Sequence, residues 1–206
     1  VFVGFEQLTA TATVMEVVEE KKRTGVVLDR SPFYAEMGGQ VGDTGTLSFG
    51  GKTWTVSDTQ KAGEAFIHFI KGEAAPESGS EVEVTVDTAR RVAIQRHHTV
   101  THLFHWALHE VTSPDASQKG SYVGPEKLTF DFNSQALTTQ QLADIERLVN
   151  ERIVDNATVS WTEAPYSEVS GNERILQFFG DKYGDTVRVV QIGGGVDALD
   201  GNSMEL

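Results

Sequence analysis

Hydrophobic residues along the chain recur with two different periods, and the change falls near residue 88. Before it, β-branched and aromatic side chains alternate with polar ones. Residues 11–18 (Thr-Ala-Thr-Val-Met-Glu-Val-Val), a charged stretch at 19–23 and then Gly25-Val26-Val27-Leu28 make a hairpin pattern. Residues 52–57, 65–70 and 81–86 alternate with period two. Ser31-Pro32-Phe33-Tyr34 opens a turn, residues 38–45 read as a loop with four glycines, and residues 72–80 form a loop between two strands. Short strands at this density, punctuated by glycine turns, predict a small barrel.

Beyond residue 88 the period becomes helical. Asp87 or Thr88 can cap a helix reaching about Val111, on which Val92, Gln95, Thr99, His102, Trp106 and His109 share a spacing. Ser113-Pro114-Asp115 ends it, residues 117–121 follow as a loop, and residues 127–132 read as a strand. Thr138 and Thr139 cap a second helix to about Asn156, with Leu142, Ile145, Leu148, Val149 and Ile153 on one face. A strand at 158–162, a helix opening at Pro165 and stopping at Gly180, a strand at 186–192 and a last strand starting at Ser203 complete the pattern. The expected fold class is α+β, with a small N-terminal β-barrel over residues 1–88 and an α/β core over residues 89–206.

Composition narrows the function classes. At 206 residues the chain suffices for one large or two small domains. No apolar run is long enough for a membrane span, so no membrane partner is expected. The N-terminus lacks a signal peptide's pattern and an initiator Met, which reads as a piece excised from something longer. The absence of cysteine excludes disulfides and fits a cytoplasmic setting. Seventeen Lys and Arg against thirty Asp and Glu give a net charge of −13, which argues against broad non-specific binding to a phosphate backbone. Local basic strips remain, at Arg90, Arg91 and Arg96 and at Lys21-Lys22-Arg23 in the expected hairpin turn. Solvated surface is the plain reading of both.

Two stretches can carry chemistry. On a helix, His98 and His102 fall one turn apart, the spacing at which two imidazoles can hold one zinc ion. His98, His102, His105 and His109 form a stripe that reads equally as surface and hydrogen-bonded core residues. The helical zinc-protease motif needs Glu after its first His, and Thr99 stands there instead. A structural or a hydrolytic zinc both stay open. Gly38-Gly39-Gln40 repeats the triplet of the hydrolytic loop of class I peptide-release factors, and it also suits a tight turn needing positive φ.

Taken with three further stretches, these motifs carry a resemblance. Residues 2–8, residues 31–45 (Ser-Pro-Phe-Tyr-Ala-Glu-Met-Gly-Gly-Gln-Val-Gly-Asp-Thr-Gly), residues 96–105, residues 117–121 (Ser-Gln-Lys-Gly-Ser) and residues 178–190 occur in the order of five motifs of the alanyl-tRNA synthetases. The chain resembles the editing region of that family, whose free-standing editing proteins share the same core. The resemblance implies an editing core of the alanyl/threonyl-tRNA synthetase type and a zinc ion held by His98 and His102. It places the other two ligands in a Cys-x-x-x-His segment beginning just beyond Leu206. It implies ester hydrolysis of tRNA for alanine wrongly charged with serine or glycine, with that tRNA and the remaining, ATP-binding parts of a synthetase as partners.

The site roles it implies follow the motifs. Gln118 would recognise the serine hydroxyl or orient the substrate, with Thr101 and Thr112 as secondary hydroxyl contacts. The Lys119-Gly120 backbone would donate to the developing oxyanion. Gly38, Gly39 and Gln40 would shape the pocket mouth or approach the tRNA end. Arg90, Arg91, Arg96 and Lys119 would meet phosphate, and His97, His105 and His109 would support or pack. Zinc would either polarise the attacking water or anchor the substrate's amino group. A second reading is a tRNA-acceptor binding or structural module whose metal site is incomplete.

Overall fold

A computed structural model describes residues 1–206 apart from Lys21, Glu73, Pro114, Glu173, residues 178–182, Val196, Asp197, Asn202 and Leu206. The expected end of a helix at Gly180, the 178–182 part of the fifth motif, Lys21 of the hairpin turn and Leu206 of the last strand lie outside the described residues. The chain divides into two compact units, one of residues 1–95 with 122–127 and the other of residues 96–121 with 128–206.

The first unit is a closed antiparallel barrel. Its strands are β1 (Thr9–Glu20), β2 (Arg23–Leu28), β3 (Gly45–Phe49), β4 (Lys52–Ala62), β5 (Ala65–Lys71) and β6 (Glu81–Val86), arranged β1-β2-β5-β4-β3-β6 with β6 returning to β1. Closure leaves no free edge. The period-two pattern explains the interior. In β6, Val82, Val84 and Val86 point in while Glu81 and Glu83 point out. They meet Ala12, Val14, Val26, Leu47, Trp54 and Val56 from the other strands, with Phe33 beside them. Irregular register after Val14 in β1 and after Val56 in β4 marks two bulges, the device that bends long strands around a small barrel. Strand β3 was not expected from the sequence. Its short Thr-Leu-Ser-Phe run buries only Leu47 fully and is held as a strand by neighbours on both sides, β4 and β6.

The second unit carries most of the helical residues. Helix α1 (Thr88–Val111) starts where expected, and Asp87 is its cap: the Asp87 carboxylate accepts the backbone N–H of Arg90 at 3.0 Å. Helix α2 (Thr139–Val154) opens with a reciprocal capping box between Thr138 and Gln141. Its buried face is narrower than the sequence pattern: Ile145 and Val149 are buried against Leu103, Ala107 and Leu108, whereas Leu142 and Ile153 remain about half exposed. Strands β9 (Val159–Pro165), β10 (Thr186–Ile192) and β11 (Ser203–Glu205) form an antiparallel sheet in the order β11-β10-β9.

Two expectations are corrected. Residues 118–121 are not loop but part of strand β7 (Gln118–Val123), paired with β8 (Leu128–Phe132); a partner strand overrides the weak propensity of Lys119, Gly120 and Ser121. Helix α3 spans only Tyr166–Val169. It stops because Ser170 ends the turn and the Asn172 side chain captures the Arg174 backbone N–H at 3.0 Å, an Asx turn that competes with a helix.

Candidate functional site

The most concentrated titratable cluster is in the second unit, on one face of α1. His98 and His102 stack with ring centroids 5.0 Å apart, as the one-turn spacing requires. Facing them is a residue the sequence reading passed over, Glu205. Its Oε2 lies 2.6 Å from His102 Nδ1, and its Oε1 lies 3.1 Å from His105 Nδ1. A carboxylate only accepts, so both imidazole nitrogens donate. Strand pairing holds the carboxylate in place: Glu205 is opposite Val190, and Met204 O accepts the Leu176 N–H at 2.9 Å.

Burial and mutual charge set the electrostatics of the cluster. Burial is the main cause that pushes His98 down to about 4, with the neighbouring charge of His102 adding to it, so His98 is neutral at pH 7. Burial alone would raise the Glu205 carboxyl. The charge and hydrogen bonds of His102 and His105 outweigh burial and bring the carboxyl down to about 2. The result is a buried anion whose partners are imidazole N–H groups.

The other histidines of the stripe have packing duties. His105 is 1% exposed and lies against Phe130 and, edge-on, His109. His109 donates from Nε2 to Ala116 O at 2.5 Å, tying the end of α1 to the following chain. Thr101 donates its hydroxyl back to the His97 carbonyl at 2.8 Å, and Thr112 does the same to Leu108 at 2.6 Å. Both hydroxyls are therefore engaged in the helix's own turns. Gln118 donates from Nε2 to the Ser121 hydroxyl at 3.0 Å, whereas Lys119 is exposed and Gly120 lies against Asp131 of β8. Arg96 is exposed on α1.

Gly38-Gly39-Gln40 belongs to the first unit. Met37 and Gln40 exchange backbone hydrogen bonds (3.0 and 3.2 Å), leaving Gly38 and Gly39 as the two central residues of a turn with φ of +60° and +83°. That is the conformation for which paired glycines are required. Gly39 O and the Val41 N–H are bonded to Val123, and Gln40 is 6% exposed. Further along the motif, Asp43 is buried against Arg91. The Arg91 guanidinium donates to both Asp43 oxygens and to the carbonyls of Gly4 (2.9 Å) and Pro32 (2.8 Å). Asp43 also accepts the Tyr34 N–H at 2.7 Å. The expectation that Arg91 meets phosphate is thereby corrected, because its donors are spent inside the barrel unit. Arg90 is half buried and donates to Gly42 O at 2.8 Å.

Among the described residues no three His, Cys, Asp or Glu side chains are grouped to hold a metal. The donor set that is present, one neutral imidazole and a second oriented by a carboxylate, fits half of a zinc site. No described helix is long and apolar enough to cross a membrane.

The comparisons with known proteins agree with this arrangement of motifs. Residues 2–90 match the family of class II (A) tRNA synthetases. The chain is 48% identical over 206 residues to the alanine–tRNA ligase of Akkermansia muciniphila, covering 99% of this chain and 22% of that protein. It is 47% identical over 194 residues to that of Methylacidiphilum infernorum (93% and 21%). With that of Pseudoalteromonas translucida it is 41% identical over 200 residues (92% and 23%). Over nearly its whole length the chain is similar to one part of the alanine–tRNA ligases, and it spans about a fifth of the length of the curated relatives it matches.

Proposed function

We propose that this chain is the proofreading part of an alanine–tRNA ligase and hydrolyses the ester of tRNA for alanine mischarged with serine or glycine. The observation that supports the reading is the cluster of His98, His102 and Glu205 in a chain similar to the alanine–tRNA ligases. The chemical need is clear. A pocket made for alanine's methyl group discriminates only about ten- to a few-hundred-fold against a side chain that adds a hydroxyl or one that omits the methyl. Errors of both kinds then have to be removed after transfer.

In this reading His98 and His102 contribute two ligands to zinc, with a further Cys and His supplied from outside residues 1–206. Bound there, zinc would either lower the pKa of an attacking water or anchor the substrate's amino group. His98 brings a neutral ring without a proton to lose. Glu205 holds the ring plane of His102. Gln118, on β7 with its amide near Ser121, offers a donor and an acceptor for a serine hydroxyl. The N–H groups of Lys119 and Gly120 are candidate oxyanion donors. The exposed Gly38-Gly39 turn and Arg96 are candidate contacts for the tRNA end. The partners are that tRNA and the remaining, ATP-binding parts of a ligase, in the cytoplasm.

A second reading is a tRNA-acceptor binding module without hydrolysis of its own, favoured by the absence of a third ligand among the described residues. Deacylation of seryl-, glycyl- and alanyl-tRNA separates the two. The chain carried on through a Cys-x-x-x-His segment should release serine and glycine but spare alanine, and should do so faster than the chain alone. Zinc chelation and His98→Ala should each lower the rate about 100-fold or more, given that losing even an outer partner of a metal ligand costs about 10–100-fold. Tight binding of the tRNA with no release by either form would replace hydrolysis by the binding reading. Gln118→His should abolish release with the fold intact.

A further inference from the structure

We infer that Glu205 is a positioning residue that locks His102 in its Nδ1–H tautomer and so presents the Nε2 lone pair of His102, on the face shared with His98, to a divalent cation. The inference rests on the metal reading above and adds to it a residue that supplies no ligand atom.

The geometry fixes a proton on Nδ1 of His102. Its Nδ1 is 2.6 Å from Glu205 Oε2, and a deprotonated nitrogen cannot sit that close to a carboxylate oxygen without repulsion. The proton is therefore on Nδ1, and in the neutral ring the lone pair is on Nε2. A solvated imidazole prefers the opposite tautomer, so the carboxylate reverses a natural bias. The same carboxylate is held from its other side. Its Oε1 meets His105 Nδ1 at 3.1 Å, and His105 is packed inside the core of the unit and cannot swing away. The backbone of Glu205 is clamped between β10 on one side and Leu176, whose bridge is parallel, on the other. A short strand thus carries one carboxylate to two helical histidines a turn apart, His102 and His105. A carboxylate behind a metal-bound histidine is a common outer arrangement, and its loss typically weakens metal binding 10–100-fold.

The test uses the chain carried on through the Cys-x-x-x-His segment that completes the metal site in this reading. Long-range proton–nitrogen NMR at pH 8.5, where an ordinary imidazole is neutral, reads the His102 tautomer directly. Competition with a fluorescent chelator reads zinc affinity. In Glu205→Gln, His102 should move from Nδ1–H toward Nε2–H, and zinc should bind about 10–100-fold more weakly. An exposed-carboxylate control, Glu146→Gln on α2, should change neither. Glu205→Asp, which keeps the charge but withdraws the oxygens by one methylene, is the second variant should the first not fold, and the same two changes are expected. An unchanged tautomer or an unchanged affinity in the folded variant overturns the role of Glu205 while leaving the metal reading in place. The metal reading itself fails if this extended wild-type chain binds no zinc, or binds it equally well after His98→Ala, and the positioning role fails with it whatever the tautomer does.

Discussion

His68 in the barrel and His102 on α1 use the same nitrogen and end differently. His68 donates from Nδ1 to Val26 O at 2.9 Å, and its Nε2 accepts the Ser31 hydroxyl at 2.6 Å. Ser31 in turn accepts the Phe33 N–H at 3.0 Å, so that every polar atom of the chain of bonds is spent. His102 also donates from Nδ1, but to a carboxylate, and its ring stacks on a second imidazole one turn away. The barrel unit closes its buried polar groups onto one another and onto the backbone. The second unit gathers four side chains that can titrate or ligate, His98, His102, His105 and Glu205, around one helix face. The first arrangement ties buried polar atoms to the backbone. The second ties them to one another.

The largest test of that contrast is Asp43→Ala. It strands the Arg91 guanidinium, 4% exposed, beside carbonyls alone. Breaking one partner of a buried ion pair costs about 3–5 kcal/mol. The urea midpoint followed by Trp54, inside the barrel, should fall accordingly. A loss below about 1 kcal/mol, the range of an exposed pair, would mean that the motif Asp is not a structural latch.

A smaller test uses pH. Burial pushes His68 down to about 4, against about 6.5 when unfolded, with its bond to Val26 opposing only in part. Between those values the unfolded chain binds a proton that the native barrel does not, so stability declines as the pH falls from about 6.5 to about 4. The loss attributable to His68 is at most about 3 kcal/mol at the acid end. Other acid-sensitive groups are common to wild type and His68→Gln, so the difference between their urea midpoints at pH 7 and pH 4.5 isolates it. Equal slopes would show that His68 is not held neutral.

These residues also show what could be read from the chain alone. The valines of β6 and the His98–His102 spacing depend on local period, and both were legible. Gly38 and Gly39 were legible as a turn because only positive φ demands that pair. Glu205 was not, since nothing local distinguishes it: its role depends on β10 carrying it to a helix a hundred residues earlier in the chain. Arg91 was misread for a similar reason, as a guanidinium beside other basic residues looks like surface until Asp43, Gly4 and Pro32 converge on it. Strand β7 and the short α3 were misassigned where a partner strand or an Asx turn outweighed propensity.

The smallest effect sharpens the comparison from the second unit's side. Thr138 accepts the Gln141 N–H at 3.2 Å while Gln141 Oε1 accepts the Thr138 N–H at 3.0 Å, so Thr138→Ala removes half of a reciprocal cap and leaves the Gln141 N–H without its acceptor. The cost is about 1 kcal/mol. It should appear as roughly fivefold faster exchange of the first-turn amides of α2, through 142, if that turn opens locally. The helix is held chiefly by Ile145 and Val149 packed on Leu103, Ala107 and Leu108, which the substitution does not touch. The His98–His102 face of α1 should therefore keep its zinc affinity. A loss of affinity on removing this cap would show that the donor cluster is tuned by the stability of the helix packed behind it, and that only the barrel's polar residues are fixed by their own bonds.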